Sequence, residues 1–70
     1  MQRQSVSSSN IRSIGYDAGT GTLEVEFNSG GVYQYFNVPE TTYSALMRAS
    51  SKGAFVNACI KDRYGCRKVR

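Results

Sequence analysis

Apolar and polar side chains alternate without a break over Thr22-Leu23-Glu24-Val25-Glu26-Phe27, so Leu23, Val25 and Phe27 share one side and Thr22, Glu24 and Glu26 the other. A period of two is what a β-strand with one buried and one wet face imposes. Before it, Ile11, Ile14 and Tyr16 make a shorter β-branched and aromatic run that closes on Asp17-Ala18-Gly19-Thr20-Gly21, a cluster of turn formers. After it, Asn28-Ser29-Gly30-Gly31 supplies two residues free to take positive φ, and Val32-Tyr33-Gln34-Tyr35-Phe36 follows at once. The second and third runs therefore pair as a hairpin. The pattern predicts three antiparallel strands in a meander.

The register of that hairpin decides which side chains of the third strand face the core, because a slip of one residue exchanges the two faces. A loop of even length sets Val32, Gln34 and Phe36 beside Leu23, Val25 and Phe27. A three-residue type I turn with a glycine bulge sets Tyr33 and Tyr35 there instead. The second is favoured, since a glycine stands where the bulge needs its left-handed residue. Tyr33 and Tyr35 then pack under the helices with their hydroxyls reaching the rim, and Phe36 joins Val32 on the opposite face. Two positions stay open for Phe36: exposed, where it could stack a nucleobase, or tucked against the helices by strand twist and the Val38-Pro39 bend.

Val38-Pro39-Glu40 has the composition of a helix start, with proline suited to the first turn and a carboxylate to the positive end of the dipole. Tyr43, Leu46 and Met47 recur at helical spacing and predict a helix from about Pro39 to Ala49. Ser50-Ser51-Lys52-Gly53 interrupts it and offers a hydroxyl to cap a second helix, whose apolar stripe is Phe55, Val56, Cys59 and Ile60. The fold expected is α+β, a three-stranded antiparallel meander followed by two helices on one face of the sheet (β-β-β-α-α). Residues 1–9 are polar and Ser-rich, with only Val6 apolar, and are expected to be a disordered lead-in. Residues 10–65 make the single domain and residues 66–70 a basic tail, with order fading beyond Ile60 because only Tyr64 and Val69 could anchor the chain.

Charge changes the picture. The 70 residues carry nine Lys and Arg against five Asp and Glu, a net charge of +4. Arg3, Arg12, Arg48 and Lys52 cancel Asp17, Glu24, Glu26 and Glu40, whereas Lys61, Arg63, Arg67, Lys68 and Arg70 face Asp62 alone. The whole excess therefore lies in residues 61–70, which suits a polyanion as much as it suits a solubilising tail. Tyr64 is interleaved with Arg63 and Arg67, and Arg12 and Lys52 are available to extend the cluster. Arginine forks beside aromatic rings are what single-stranded or structured RNA exploits.

Other chemistries find little support. The chain has no His, so the commonest general base and metal ligand are missing. Cys59 and Cys66 cannot close a tetrahedral zinc site alone, and no two carboxylates are spaced as an acid and base pair. No catalytic role, metal or cofactor is expected. Cys59 falls on the apolar stripe of the second helix, as a small hydrophobe; Cys66 is flanked by cations but has no resolving partner, and neither is assigned a role. Two cysteines make no disulfide framework, the N-terminal residues have no apolar run of signal type, and no stretch approaches the roughly 18 apolar residues of a membrane span. A cytoplasmic protein without membrane association, monomeric or weakly oligomeric, is expected.

Several short motifs fall in one order: Ser9-Asn10-Ile11, Ile14-Gly15-Tyr16-Asp17, Thr22 to Phe27, Gly31-Val32-Tyr33-Gln34-Tyr35, Val38-Pro39, Tyr43, Leu46, Ala49, Ser51, Gly53, Asn57 and Ile60. Together they resemble the KTSC domain over about residues 8–65. That domain takes its name from the C-terminus of some lysyl-tRNA synthetases and also occurs as a small free-standing bacterial protein with a central Tyr-x-Tyr motif, matched here by Tyr33 and Tyr35. The resemblance implies a fixed structural post for both tyrosines and, by association with a tRNA synthetase, RNA as ligand. Cys59 and Cys66 stand where basic or aromatic residues would be expected in relatives, which implies a weaker RNA surface here.

Two functions follow. The first is a non-catalytic module that binds tRNA or another structured or single-stranded RNA through Lys61, Arg63, Tyr64, Arg67, Lys68 and Arg70, with Arg12, Lys52 and Phe36 as additions. The second is a small adaptor or inhibitor that binds a protein through the outer sheet face, where Val32 and Phe36 lie beside carboxylates, or through a free strand edge.

Overall fold

The computed structural model describes residues 2–70. Its sheet has five antiparallel strands in sequential order: β1 Arg3–Ser5, β2 Ile11–Asp17, β3 Thr22–Phe27, β4 Val32–Tyr35 and β5 Cys66–Lys68. The alternating segment is β3, at the centre, and its neighbours are the two strands expected on either side. The α+β class stands, but the sheet is wider than the three strands expected. Arg3–Ser5, within the presumed lead-in, pairs with β2, and Val6 extends the pairing through its N–H to the Arg12 carbonyl at 3.1 Å. Cys66–Lys68, within the presumed tail, pairs with β4. Met1 lies outside the described residues.

The β3–β4 hairpin takes the three-residue turn. Gly30 has φ of 102° and donates to the Phe27 carbonyl, while Phe27 donates to that of Gly31, each at 2.9 Å. Only glycine adopts that φ without strain. Tyr35 therefore lies opposite Leu23 and Tyr33 opposite Val25, the favoured register.

Helix α1, Glu40–Arg48, starts after Pro39 and buries Leu46. Helix α2, Lys52–Phe55, is capped by the Ser51 hydroxyl, which accepts from the Ala54 N–H at 3.4 Å, and continues as a π-helical turn, Val56–Ile60. Its wider loop closes with the Lys61 N–H on the Val56 carbonyl at 2.7 Å. Both helical segments cover one face of the sheet. Ile11, Ile14, Leu23, Val25, Tyr35, Val38, Leu46, Val56 and Ile60 form the core there, with Tyr16, Tyr33, Tyr43 and Tyr64 packed against it. Tyr16 and Tyr43 stack at 4.6 Å, and the Tyr16 hydroxyl donates to the Val38 carbonyl at 2.6 Å.

The opposite face is polar and ordered by charge. One cross-strand row runs Arg3, Gly15, Glu24, Gln34, Arg67 over all five strands. With no side chain at Gly15, the Arg3 guanidinium reaches across β2 and donates to Glu24 at 2.6 Å, while Gln34 donates to the other Glu24 oxygen at 2.8 Å. In the next row Ser13 donates to Glu26 at 2.8 Å, and Arg3 and Arg70 each approach that carboxylate at 3.8 Å. Charge-assisted bonds of this kind are about twice as strong as neutral ones. The Arg3 bond holds β1 onto a sheet to which it contributes little apolar surface, while the chain beyond β5 is held by backbone bonds of Val69 and Arg70 to Val32. No helix among the described residues is long and apolar enough to cross a membrane.

Candidate nucleic-acid interface

The C-terminal cations are presented by the turn that follows the π-helical segment and by β5. Antiparallel pairing sets Arg67 opposite Gln34 on the polar face and Lys68 opposite Tyr33 on the helix-bearing face. Lys61, Arg63, Arg67 and Lys68 are exposed and make no ion pair among the described residues; Arg70 is exposed but reaches Glu26. The cluster thus forms a belt around one edge of the fold. Lys61 and Lys68 lie on the helix side, Arg67 and Arg70 on the polar side, and Arg63 borders a cleft against α1 shared with Thr41, Thr42 and Tyr64.

The remaining expected site residues are placed differently. Arg12 occupies the bulge of β2 between Ile11 and Ser13, three strands from β5, or about 14 Å at the usual inter-strand spacing. It contributes, with Arg3 and Arg70, to the positive surroundings of Glu26. The Glu26 carboxyl is held below its ordinary range, first by the Ser13 hydrogen bond and then by these arginines, against the opposing effect of burial. The Lys52 ammonium donates to the Ala49 carbonyl at 3.1 Å and so ties off the end of α1 rather than extending the belt. Phe36 is half-buried and stands outside the helix-side core, its N–H bonded to the Gly65 carbonyl at 2.9 Å. Val32, also on the polar face, is only 2 % exposed, whereas Val69 beside it is 44 % exposed. Of the two residues expected to anchor an adaptor surface, Val32 is covered and Phe36 is half-buried.

A groove lies between the β3–β4 hairpin, the π-helical turn and the β5 edge. It has a volume of about 430 Å³, and its wall includes Phe27, Tyr33, Tyr35, Asn57, Lys61 and Tyr64. Phe27 and Tyr33 meet edge to face at 5.7 Å. Tyr35 is 5 % exposed, yet its hydroxyl and that of Tyr33 have no hydrogen-bond partner among the described residues. Since none of the described polar side chains has an atom both buried and unpaired, both hydroxyls are accessible, and both residues line the groove. Burial raises the Tyr35 phenol above its ordinary value, and the nearby Cys66, Tyr33 and Asp62 act in the same direction, so it is a proton donor at neutral pH. Past Phe27, Ser29 and Asn57 the groove continues into a second depression bordered by Asn10 and Gly53. A methyl group at Gly53 would stand 3.0 Å from the Asn10 amide nitrogen, so glycine permits that approach.

Phe27, Asn57 and Asn10 were not legible as site residues. Phe27 counts in the sequence as a core position of β3, and Asn57 as a polar residue on the solvent side of a helix. The available signal was the resemblance, which included Ser9, Asn10, Gly53 and Asn57 although none of them supplies a large apolar side chain to the core. Tyr35 belongs to the core cluster, Tyr33 packs against it, and both line the groove.

The KTSC domain family model matches residues 7–64. Among solved structures, a KTSC domain protein from Yersinia pestis is 49 % identical and superposes with a TM-score of 0.95, over 99 % of this chain and 97 % of its own. An uncharacterized protein of Stutzerimonas stutzeri is 42 % identical over 64 residues, 91 % of this chain and 90 % of that one. The lysine–tRNA ligase of Nostoc punctiforme is 43 % identical over 54 residues, which are 77 % of this chain but 10 % of the ligase. With the fold matched over nearly its whole length and the family model over most of the sequence, the chain belongs to the KTSC domain family.

Proposed function

We propose that this KTSC domain is a non-catalytic RNA-binding module whose phosphate contacts come from the belt at its C-terminal edge. The observation that carries the reading is the set of four exposed cations, Lys61, Arg63, Arg67 and Lys68, that no carboxylate of the described residues neutralises. Glu24 and Glu26 lie close to Arg3, Arg12 and Arg70, two negative charges against three positive, so both carboxylates of the polar face are already engaged and none is left to offset the four cations at the edge. Similarity to a segment of a ligase that handles tRNA agrees with this reading. Fluorescence anisotropy with labelled tRNA at several salt concentrations tests it. With four phosphates neutralised on a single strand, log K falls by about 2.8 per decade of salt. Changing the four cations to Ala abolishes most of the binding and the slope; no binding of the unaltered protein at low salt overturns the proposal.

A further inference from the structure

Deepening that reading, and resting on it, we infer that the groove bordered by Tyr33, Tyr35, Asn57 and Lys61 receives an unpaired nucleobase, while Lys61 and Lys68 hold the adjoining phosphates. Three features of the groove point to this ligand. It has aromatic walls, Phe27 against Tyr33, which favour a flat π-system. It carries a directional donor in Tyr35, whose ring is fixed in the core while its hydroxyl is accessible and has no hydrogen-bond partner among the described residues, so it is free to donate to a ligand. The Asn57 amide and the Asp62 carboxylate border the same space, supplying the acceptors and donors that base edges require.

Size and charge narrow the class. About 430 Å³ falls within the range of small-ligand sites and suits one nucleotide unit rather than a helical stem. Lys61 and Asp62 both line the groove with opposite charges, and Lys68 stands opposite Tyr33 on the same face, so the positive charge available to a phosphate lies at the β5 side of the aromatic walls. The second depression, about 330 Å³ and sharing Phe27, Ser29 and Asn57 with the first, continues the path for a neighbouring nucleotide. An A-form duplex keeps its bases stacked and paired and cannot enter such a space. The groove therefore selects single-stranded or looped RNA.

The test compares three fluorescein-labelled probes at low salt: a mixed-sequence single-stranded RNA decamer, a decamer of the same backbone with abasic positions throughout, and the decamer annealed to its complement. The base-bearing single strand is expected to bind at least about 10-fold more tightly than the abasic one, from stacking. Tyr35→Phe retains the core ring, and its melting temperature by circular dichroism reports that the fold is kept. It should lose about 5-fold in affinity for the base-bearing probe and nothing for the abasic probe, with an unchanged salt slope. Equal affinity for the base-bearing and abasic strands, or no effect of Tyr35→Phe on either, overturns the base-binding groove and leaves the phosphate belt standing. Absence of binding to all three overturns both.

Discussion

Replacing Arg3 by Ala removes the guanidinium that crosses β2 to reach Glu24 at 2.6 Å and Glu26 at 3.8 Å. The Arg3 and Glu24 side chains are 27 % and 12 % exposed. An exposed ion pair contributes about 0–1 kcal/mol, and breaking a fully buried one costs about 3–5 kcal/mol. This pair lies between those limits, and a hydrogen bond to a charged group contributes about 1.5–3 kcal/mol. Glu24 keeps its bond from Gln34, so the loss expected for Arg3→Ala is about 2 kcal/mol. Against a net stability of about 3–5 kcal/mol for a domain of this size, that is close to half. With an m-value near 1 kcal/mol/M, the urea midpoint falls by about 2 M. Urea titrations of Arg3→Ala, Glu24→Gln and the double variant complete a cycle, in which a coupling of about 1 kcal/mol or more is expected. A change below about 0.5 kcal/mol for Arg3→Ala, with additive singles, would refute the claim that a cross-sheet ion pair holds β1 in place.

Glu26 makes the acid limb of stability predictable in sign. Its folded pKa lies below the ordinary 4.5, so its contribution is present above that value and is lost as pH falls through the lower folded pKa; Glu26→Gln should flatten the stability profile below about pH 4.5 in acid titrations followed by circular dichroism. Gly30→Ala places a side chain at φ of 102° and should cost about 1–2 kcal/mol in chemical denaturation, whereas Gly30→Asn, better tolerated in left-handed turns, should cost less. Leu46→Ala empties a fully buried position on the core-facing side of α1, and at about 2–5 kcal/mol it should leave much of the population unfolded at 37 °C by far-UV circular dichroism.

The strongest local patterns were those legible in the chain. The alternation over Thr22–Phe27 and the glycine at position 30 specify a strand, its buried face and the register of its partner, because each is a constraint among residues a few positions apart. The helix after Pro39 and the Ser51 cap are local in the same sense, and the charge excess of residues 61–70 needs only addition. β1 and β5 were missed for a shared reason: Arg3-Gln4-Ser5 and Cys66-Arg67-Lys68 have no apolar rhythm, and taken alone they resemble unstructured polar termini.

Those segments become strands only when partners far along the chain are already assembled: an unpaired edge on each side, a glycine gap at position 15, and a carboxylate at position 24 within reach of Arg3. The same assembly converts Asn57 from a solvent-side helix residue into the wall of a groove, and sends the cations of one short segment to both faces of the sheet. Periodicity therefore determined which residues the core would take. The tertiary structure decided what the polar residues do, because their partners are chosen by cross-strand proximity, which no spacing in the sequence encodes.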